Sequence, residues 1–254
     1  MRFRTFLTAL VLAAFAHAAG AQSGGVRVLC SNGMKAVIDA LRPQIERDVG
    51  RPLDIEFGTT AALREKIEAG AMFDVAVITA EAVNDLAAKG TIAAPSVAAL
   101  GRSGIGIAMR AGAKTPPIGS ADELKQALLG AKSITWVGVG ATRPGIEKML
   151  EKLGIAKDVQ PKVKLAGTVD EANESVASGR VELALTLKSE ILPAKGLAYA
   201  GPLPAELQSY VSFAAGVAAR TSAATDAARV VESLGARSAA STYQEKGMEL
   251  AIAR

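Results

Sequence analysis

Apolar residues along this chain alternate between two rhythms. Short strand-like stretches rich in apolar residues, Val26 to Leu29, Leu53 to Phe57, Phe73 to Ile78, Ser133 to Val137 and Val181 to Leu187, read as buried strands. Between them lie stretches whose apolar side chains recur at helical spacing. Val37, Ala40, Leu41 and Ile45 mark a helix from Met34 to Asp48, which Pro43 is expected to kink or shorten. Ala62, Leu63 and Ile67 mark another from Ala61 to Ala69, with Gly70 as its stop, and a third from Ala80 to Ala88 stops at Gly90. Further helices are predicted over 121–129, 146–153 and 171–178, and two more in the tail over 225–234 and 239–250. Strands alternating with helices through short connections predict an α/β fold with mostly parallel sheets. Two other apolar β segments, Gly104 to Met109 and Tyr210 to Ala219, bracket the second α/β block. That bracketing predicts two lobes joined by two crossing strands, with a ligand cleft between them. Residues 22–106 and 212–254 would form one lobe and 107–211 the other.

The turns that leave these strands are as informative as the strands themselves. Ser31-Asn32-Gly33, Gly58-Thr59-Thr60, Gly138 to Gly145 and Gly167-Thr168-Val169-Asp170 each place a Ser/Thr/Gly turn between a strand and a helix. Such a turn offers hydroxyls and free backbone N–H groups at a helix N-terminus, where the dipole favours negative charge. Any one of them is explained by capping alone. Several facing one crevice would hold a small anion without metal or nucleotide.

Composition narrows the chemistry. Arg2 and Arg4, an apolar run from Phe6 to Phe15 and Ala19-Gly20-Ala21 read as a secretory signal over residues 1–21, so the expected location is the periplasm. The only histidine, His17, lies inside that segment. The mature chain then has no Ser-His-Asp or Cys-His catalytic group and no His-based zinc site. Cys30 is the only cysteine, so no internal disulfide forms, and inside a predicted strand it reads as a small buried hydrophobe. The roughly 233 residues that remain suffice for two modest lobes. The formal charge of +4 drops by the two signal arginines, and the remaining Lys and Arg are scattered without interleaved aromatics. No nucleic-acid surface is expected. Gly104-Ile105-Gly106 and Gly138-Val139-Gly140 leave the G-x-G-x-x-G fingerprint incomplete, so no nucleotide cofactor is expected either.

One segment carries a family resemblance. Gly58-Thr-Thr-Ala-Ala-Leu-Arg-Glu-Lys-Ile-Glu-Ala-Gly-Ala-Met-Phe-Asp74-Val-Ala-Val-Ile resembles the diagnostic stretch of periplasmic molybdate-binding proteins. The similarity extends to the Val-Leu-x-Ser start, to Ala141 through Pro144-Gly145, and to Gly201-Pro-Leu-Pro204. It implies a type II periplasmic-binding-protein fold, no cofactor or metal, a monomer, a small anionic ligand (an oxyanion or organic carboxylate) and an ABC-type membrane permease as partner. By the resemblance Ser31, Asn32, Thr59 and Thr60 of one lobe meet Thr142, Arg143, Val169 and Lys188 of the other around the ligand. The family's cleft tyrosine aligns with Leu187, and Arg143 and Lys188 stand where a molybdate binder keeps neutral groups. Cations there suit carboxylates, which points to a larger organic, multiply charged ligand. Periplasmic aconitate isomerase resembles the same family, so isomerisation of an unsaturated tricarboxylate is the alternative activity. Its base would come from Glu190, Lys188, Tyr210 or Cys30, and spacing does not choose among them.

Overall fold

The computed structural model describes residues 24–251; the predicted signal segment lies outside them. The first lobe opens with β1 (Val26–Ser31), α1 (Lys35–Val49), β2 (Leu53–Gly58), α2 (Thr60–Glu68), β3 (Val75–Thr79) and α3 (Ala80–Ala88). β4 (Ala98–Arg110) then crosses to the second lobe. There the order is α4 (Ala121–Gly130), β5 (Ile134–Val137), α5 (Arg143–Lys152), α6 (Ala156–Val159), β6 (Val163–Ala166), α7 (Val169–Ala177), β7 (Leu183–Leu187), α8 (Lys188–Ile191) and β8 (Leu197–Pro202). The chain returns through β9 (Tyr210–Val217) and ends with α9 (Ala224–Gly235), α10 (Ala240–Glu245) and β10 (Glu249–Leu250).

In the first lobe β1 lies parallel between β2 and β3, and β3 pairs antiparallel with β9. In the second, β5 lies parallel between β6 and β7. β4 belongs to both. Ala98 to Gly104 pair with β9, whereas Ile105 to Met109 pair with β7, and β8 joins on the other side from Gly106 onward. Hydrogen bonding is therefore continuous through ten strands, but only this one strand carries the ladder from lobe to lobe. The result is the two-lobed α/β architecture that the strand–helix alternation predicts.

Packing obeys the amphipathic faces. Val37, Ile38 and Ile45 of α1 are buried near Val230 and Leu234 of α9, and Leu124, Leu128, Ile146 and Met149 fill the second lobe. Burying each such side chain contributes about 1.5–3 kcal/mol. Asp74, only 3 % exposed, clamps the first lobe at the foot of β3. Its carboxylate accepts from Arg27 N (2.8 Å), Arg27 Nε (3.1 Å), Arg27 Nη2 (2.9 Å) and Thr221 Oγ1 (2.6 Å). Burial works to raise its pKa, but these donors outweigh burial and hold it below the usual range.

Several local expectations are corrected. α1 is not cut short at Pro43 but runs through it from Lys35 to Val49, with the proline at an exposed position. The last predicted helix stops early: α10 gives way at Gly247, whose φ of 77° suits glycine, and the chain turns to pair β10 with Gly101 and Arg102. β4 begins six residues before the predicted Gly104, and β8 has no counterpart in the sequence pattern.

Candidate functional site

Three helix N-termini, those of α2, α5 and α7, reach one small cavity between the lobes, of about 30 Å³. Ser31, Asn32, Thr59 and Thr60 line it from the first lobe, and Thr142 and Val169 from the second. These six are brought together as expected from their turns. Thr59 caps α2 by accepting from Ala62 N (3.2 Å), and Thr60 Oγ1 accepts from Thr79 N (3.3 Å). Both hydroxyls therefore keep their protons to donate. Ser31 and Thr142 make no capping bond. At α7 Thr168 Oγ1 caps the helix by accepting from Glu171 N (3.1 Å), and Glu171 Oε2 reaches back past the cap to accept from Gly167 N (2.7 Å). The first N–H groups of α2 and α7 are left without intrahelical partners and supply further donors. None of the residues lining the cavity carries a positive charge.

Arg143 and Lys188, expected in the cleft, are elsewhere. Arg143 is the first residue of α5, and its guanidinium turns along the helix to Glu147 (Nε to Oε1, 2.7 Å) and back to the Gly138 carbonyl (2.8 Å). The i, i+4 carboxylate captures it on the exposed side. Lys188 opens α8 but leans towards Tyr199, its ammonium 5.6 Å from the ring centre, in a separate depression at the hinge that Tyr210 also lines. Leu187, in the place of the family's tyrosine, does line the cavity.

Of the four groups named as possible bases, Glu190 alone lines the cleft. Cys30 is fully buried, its thiol 3.5 Å from the Ser31 carbonyl, and burial pushes its pKa up. Glu190 Oε2 accepts from the Thr186 hydroxyl and, at 3.4 Å, from Leu187 N, as the third residue of a capping box does. Burial pushes the Glu190 carboxyl above the usual carboxylate range; Thr186 and Leu187 oppose this, and nearby Asp170 adds to it. Thr186 and Glu190 are absent from the ligand contacts the resemblance implies, and the one signal for them is the Thr-x-x-x-Glu spacing across the end of β7. A second cavity of about 190 Å³ adjoins the first, shares Asn32, Val169 and Glu190 with it, and is flanked by Lys35, Asp39 and Asp170.

Behind the cleft the lobes meet through small residues. Ser189 Oγ donates to the Gly33 carbonyl (2.9 Å), and Ser189 N donates to Ser103 Oγ (3.2 Å), which donates to the Gly247 carbonyl (3.1 Å). A Cβ on Gly33 would stand 2.4 Å from Phe213 Cζ and 2.9 Å from Leu187 Cδ1.

Known proteins share this framework. Aconitate isomerase from Pseudomonas is 27 % identical over 253 residues, covering 96 % of this chain and 94 % of its own length. The periplasmic molybdate-binding protein of Azotobacter vinelandii superposes with a TM-score of 0.74 at 18 % identity, over 89 % of this chain and 99 % of that one. The sulfate-binding protein SubI of Mycobacterium tuberculosis H37Rv gives 0.66 at 16 % identity, over 88 % and 86 %. At these identities the two superpositions establish the fold. A family model for bacterial extracellular solute-binding proteins matches residues 26–249, nearly all that the structure describes, and the chain belongs to that family.

Proposed function

We propose that this solute-binding protein closes its interlobe cleft on a small anion, an inorganic oxyanion or the carboxylate of a small organic acid. It would do so as a periplasmic monomer and pass the anion to an ABC-type permease. The moving bodies would be residues 22–106 with 212–254, and 107–211. The observation that carries this reading is the convergence of the α2, α5 and α7 N-termini, with the Ser31, Thr59, Thr60 and Thr142 hydroxyls, on one cavity without a cation. Aligned neutral dipoles favour an anion. The molybdate- and sulfate-binding proteins with the same fold support the choice. The displacement of Arg143 and Lys188 removes the ground for a multiply charged ligand held by cations. Among the described residues no helix is long and apolar enough to cross a membrane, and no cluster of three metal-ligating side chains occurs.

The test is a thermal-shift and calorimetric screen of the chain from Gln22 against molybdate, sulfate, phosphate and mono-, di- and tricarboxylates. A ligand of the native state raises the melting temperature, and the Thr59→Ala/Thr60→Ala double variant should lose that rise. A panel without any shift would refute the reading.

Glu190 favours a second, catalytic reading, supported by the similarity to aconitate isomerase. Its carboxylate would take the proton from the acidic allylic carbon of an unsaturated tricarboxylate. The C–H electron pair would spread over the allyl–carboxylate system, the proton held by Glu190 would exchange with solvent, and a proton would return from Glu190 to the far end, with no net oxidation. Donors at the α2 and α7 N-termini would speed the step only by holding the developing charge more tightly than the ground state. Incubation with trans-aconitate in heavy water should give cis-aconitate and deuterium uptake over many turnovers, both lost in Glu190→Gln. Saturable binding without exchange leaves the receptor alone.

A further inference from the structure

We infer that Glu190 is a specificity-determining residue of the cleft, making the site bind its anion together with one proton. Above the Glu190 pKa the site would then take anions that carry a proton themselves, such as hydrogen phosphate, phosphate monoesters or half-ionised organic acids. Fully ionised sulfate or molybdate would be disfavoured. This rests on the anion-binding reading above and deepens it.

The geometry sets an acceptor among donors. Around the inner cavity Ser31, Thr59, Thr60 and Thr142 present hydroxyls, and the helix N-termini present N–H groups, all suited to a negative ligand. Glu190 lies on the wall shared with the outer cavity. Its Oε2 is engaged by Thr186 and Leu187, and Oε1 has no hydrogen-bond partner among the described residues. An ionised carboxylate there would face the ligand's charge at close range between the lobes, and like charges at close range favour one group taking a proton.

Nothing nearby relieves the conflict. From α7 the charged neighbour is Asp170, of the same sign. From α1 the outer cavity is flanked by Asp39 and Lys35, already paired with each other at 2.8 Å. Lys188, on the same short helix, leans to Tyr199. The strand ends facing Glu190 contribute Ser31, Val137 and Phe213, none of them charged at neutral pH. One proton must therefore sit between Glu190 and the ligand. Either the carboxylic acid donates to a bare anion, or the ligand's own O–H donates to the carboxylate.

A carboxyl held above its ordinary pKa stays neutral to higher pH than in the unfolded chain, and burial favours that direction here. As pH rises through the folded pKa, the donor to a bare anion disappears and repulsion replaces it. For an anion carrying its own proton the same change creates the acceptor it needs.

The experiment is titration calorimetry of the chain from Gln22 with sulfate, molybdate, inorganic phosphate and trans-aconitate. It spans about pH 5 to 8.5, in paired buffers of different ionisation enthalpy, so that protons taken up on binding are counted. Sulfate or molybdate should bind with uptake of one proton, and affinity should fall about tenfold per pH unit above the Glu190 pKa. Phosphate should show a flatter profile. Glu190→Gln supplies a permanent N–H donor, so sulfate and molybdate should bind it independently of pH, at least tenfold tighter than wild type from one pH unit above the Glu190 pKa, while phosphate weakens. Anion binding without proton uptake, on the same pH profile as Glu190→Gln, overturns the inference and leaves the anion-binding reading intact. Failure of every anion to bind either protein overturns the reading itself. The proton count needs only the wild-type chain, so it decides the matter even should Glu190→Gln fail to fold.

Discussion

Ser31 ends β1 with its side chain on the cleft wall and makes no capping bond, so on the anion-binding reading its hydroxyl would serve the ligand rather than the helix. Ser31→Ala should therefore weaken anion binding by roughly 1.5–3 kcal/mol, the worth of a hydrogen bond to a charged group, with the melting temperature of the free protein nearly unchanged. Thr60→Ala is a less clean test, because Thr60 also accepts from Thr79 N. Arg143→Ala should leave affinity unchanged in the same titration, since its guanidinium is satisfied by Glu147 and Gly138 outside the cleft. At this scale legibility in the sequence depends on side-chain length. The places of Ser31, Thr59, Thr60 and Thr142 are legible because a strand end running into a helix start fixes where a turn residue points. Those of Arg143 and Lys188 are not, because a long side chain at the same kind of turn chooses among partners. For Arg143 the choice is settled by a glutamate one helical turn away, and for Lys188 by the ring of Tyr199, a residue brought near only by β8.

At the scale of elements, the Asp74 cluster joins β1, β3 and the segment after β9 through one carboxylate. Asp74→Asn should cost about 2 kcal/mol in urea melts at neutral pH, less than a fully buried pair because the Arg27 side chain is 36 % exposed. The pH dependence has a definite sign. The folded pKa is depressed, so the stabilisation is present above the unfolded carboxylate value of about 3.9 and is lost as pH falls through the folded value. Wild type should therefore lose stability more steeply than Asp74→Asn on acidification below about pH 4, and parallel curves would contradict this account. The long elements are readable because their apolar periods are unambiguous. β8, with its Gly201-Pro202 end, and the two-residue β10 carry too little pattern to be seen, and they exist because β4 offers them an edge. The early end of α10 depends on Gly247, one glycine in an otherwise helical stretch.

For the molecule as a whole, closure depends on how near the lobes can come behind the cleft. Gly33 is a point of close approach, facing Phe213 and Leu187 and bonded to Ser189. Gly33→Ala overfills this contact, so it should lower stability by about 1–3 kcal/mol and also weaken ligand, because closure is held back. Small-angle scattering should show less compaction on anion addition than in wild type; equal compaction would assign the loss to packing alone. The two-lobed plan is legible from two β segments bracketing an α/β block. The sharing of β4 by both sheets is not, since pairing partners leave no trace in a single strand's pattern. The burial of Cys30, on a strand held between β2 and β3, gives the molecule one more property. The chain carries a single thiol, shut inside the first lobe, and an alkylating reagent can reach it only when that lobe comes apart. Alkylation in excess reagent thus acts as a built-in clock for opening of one half of the molecule. A ligand gripped by both halves should slow that clock about a hundredfold at a hundred times its dissociation constant.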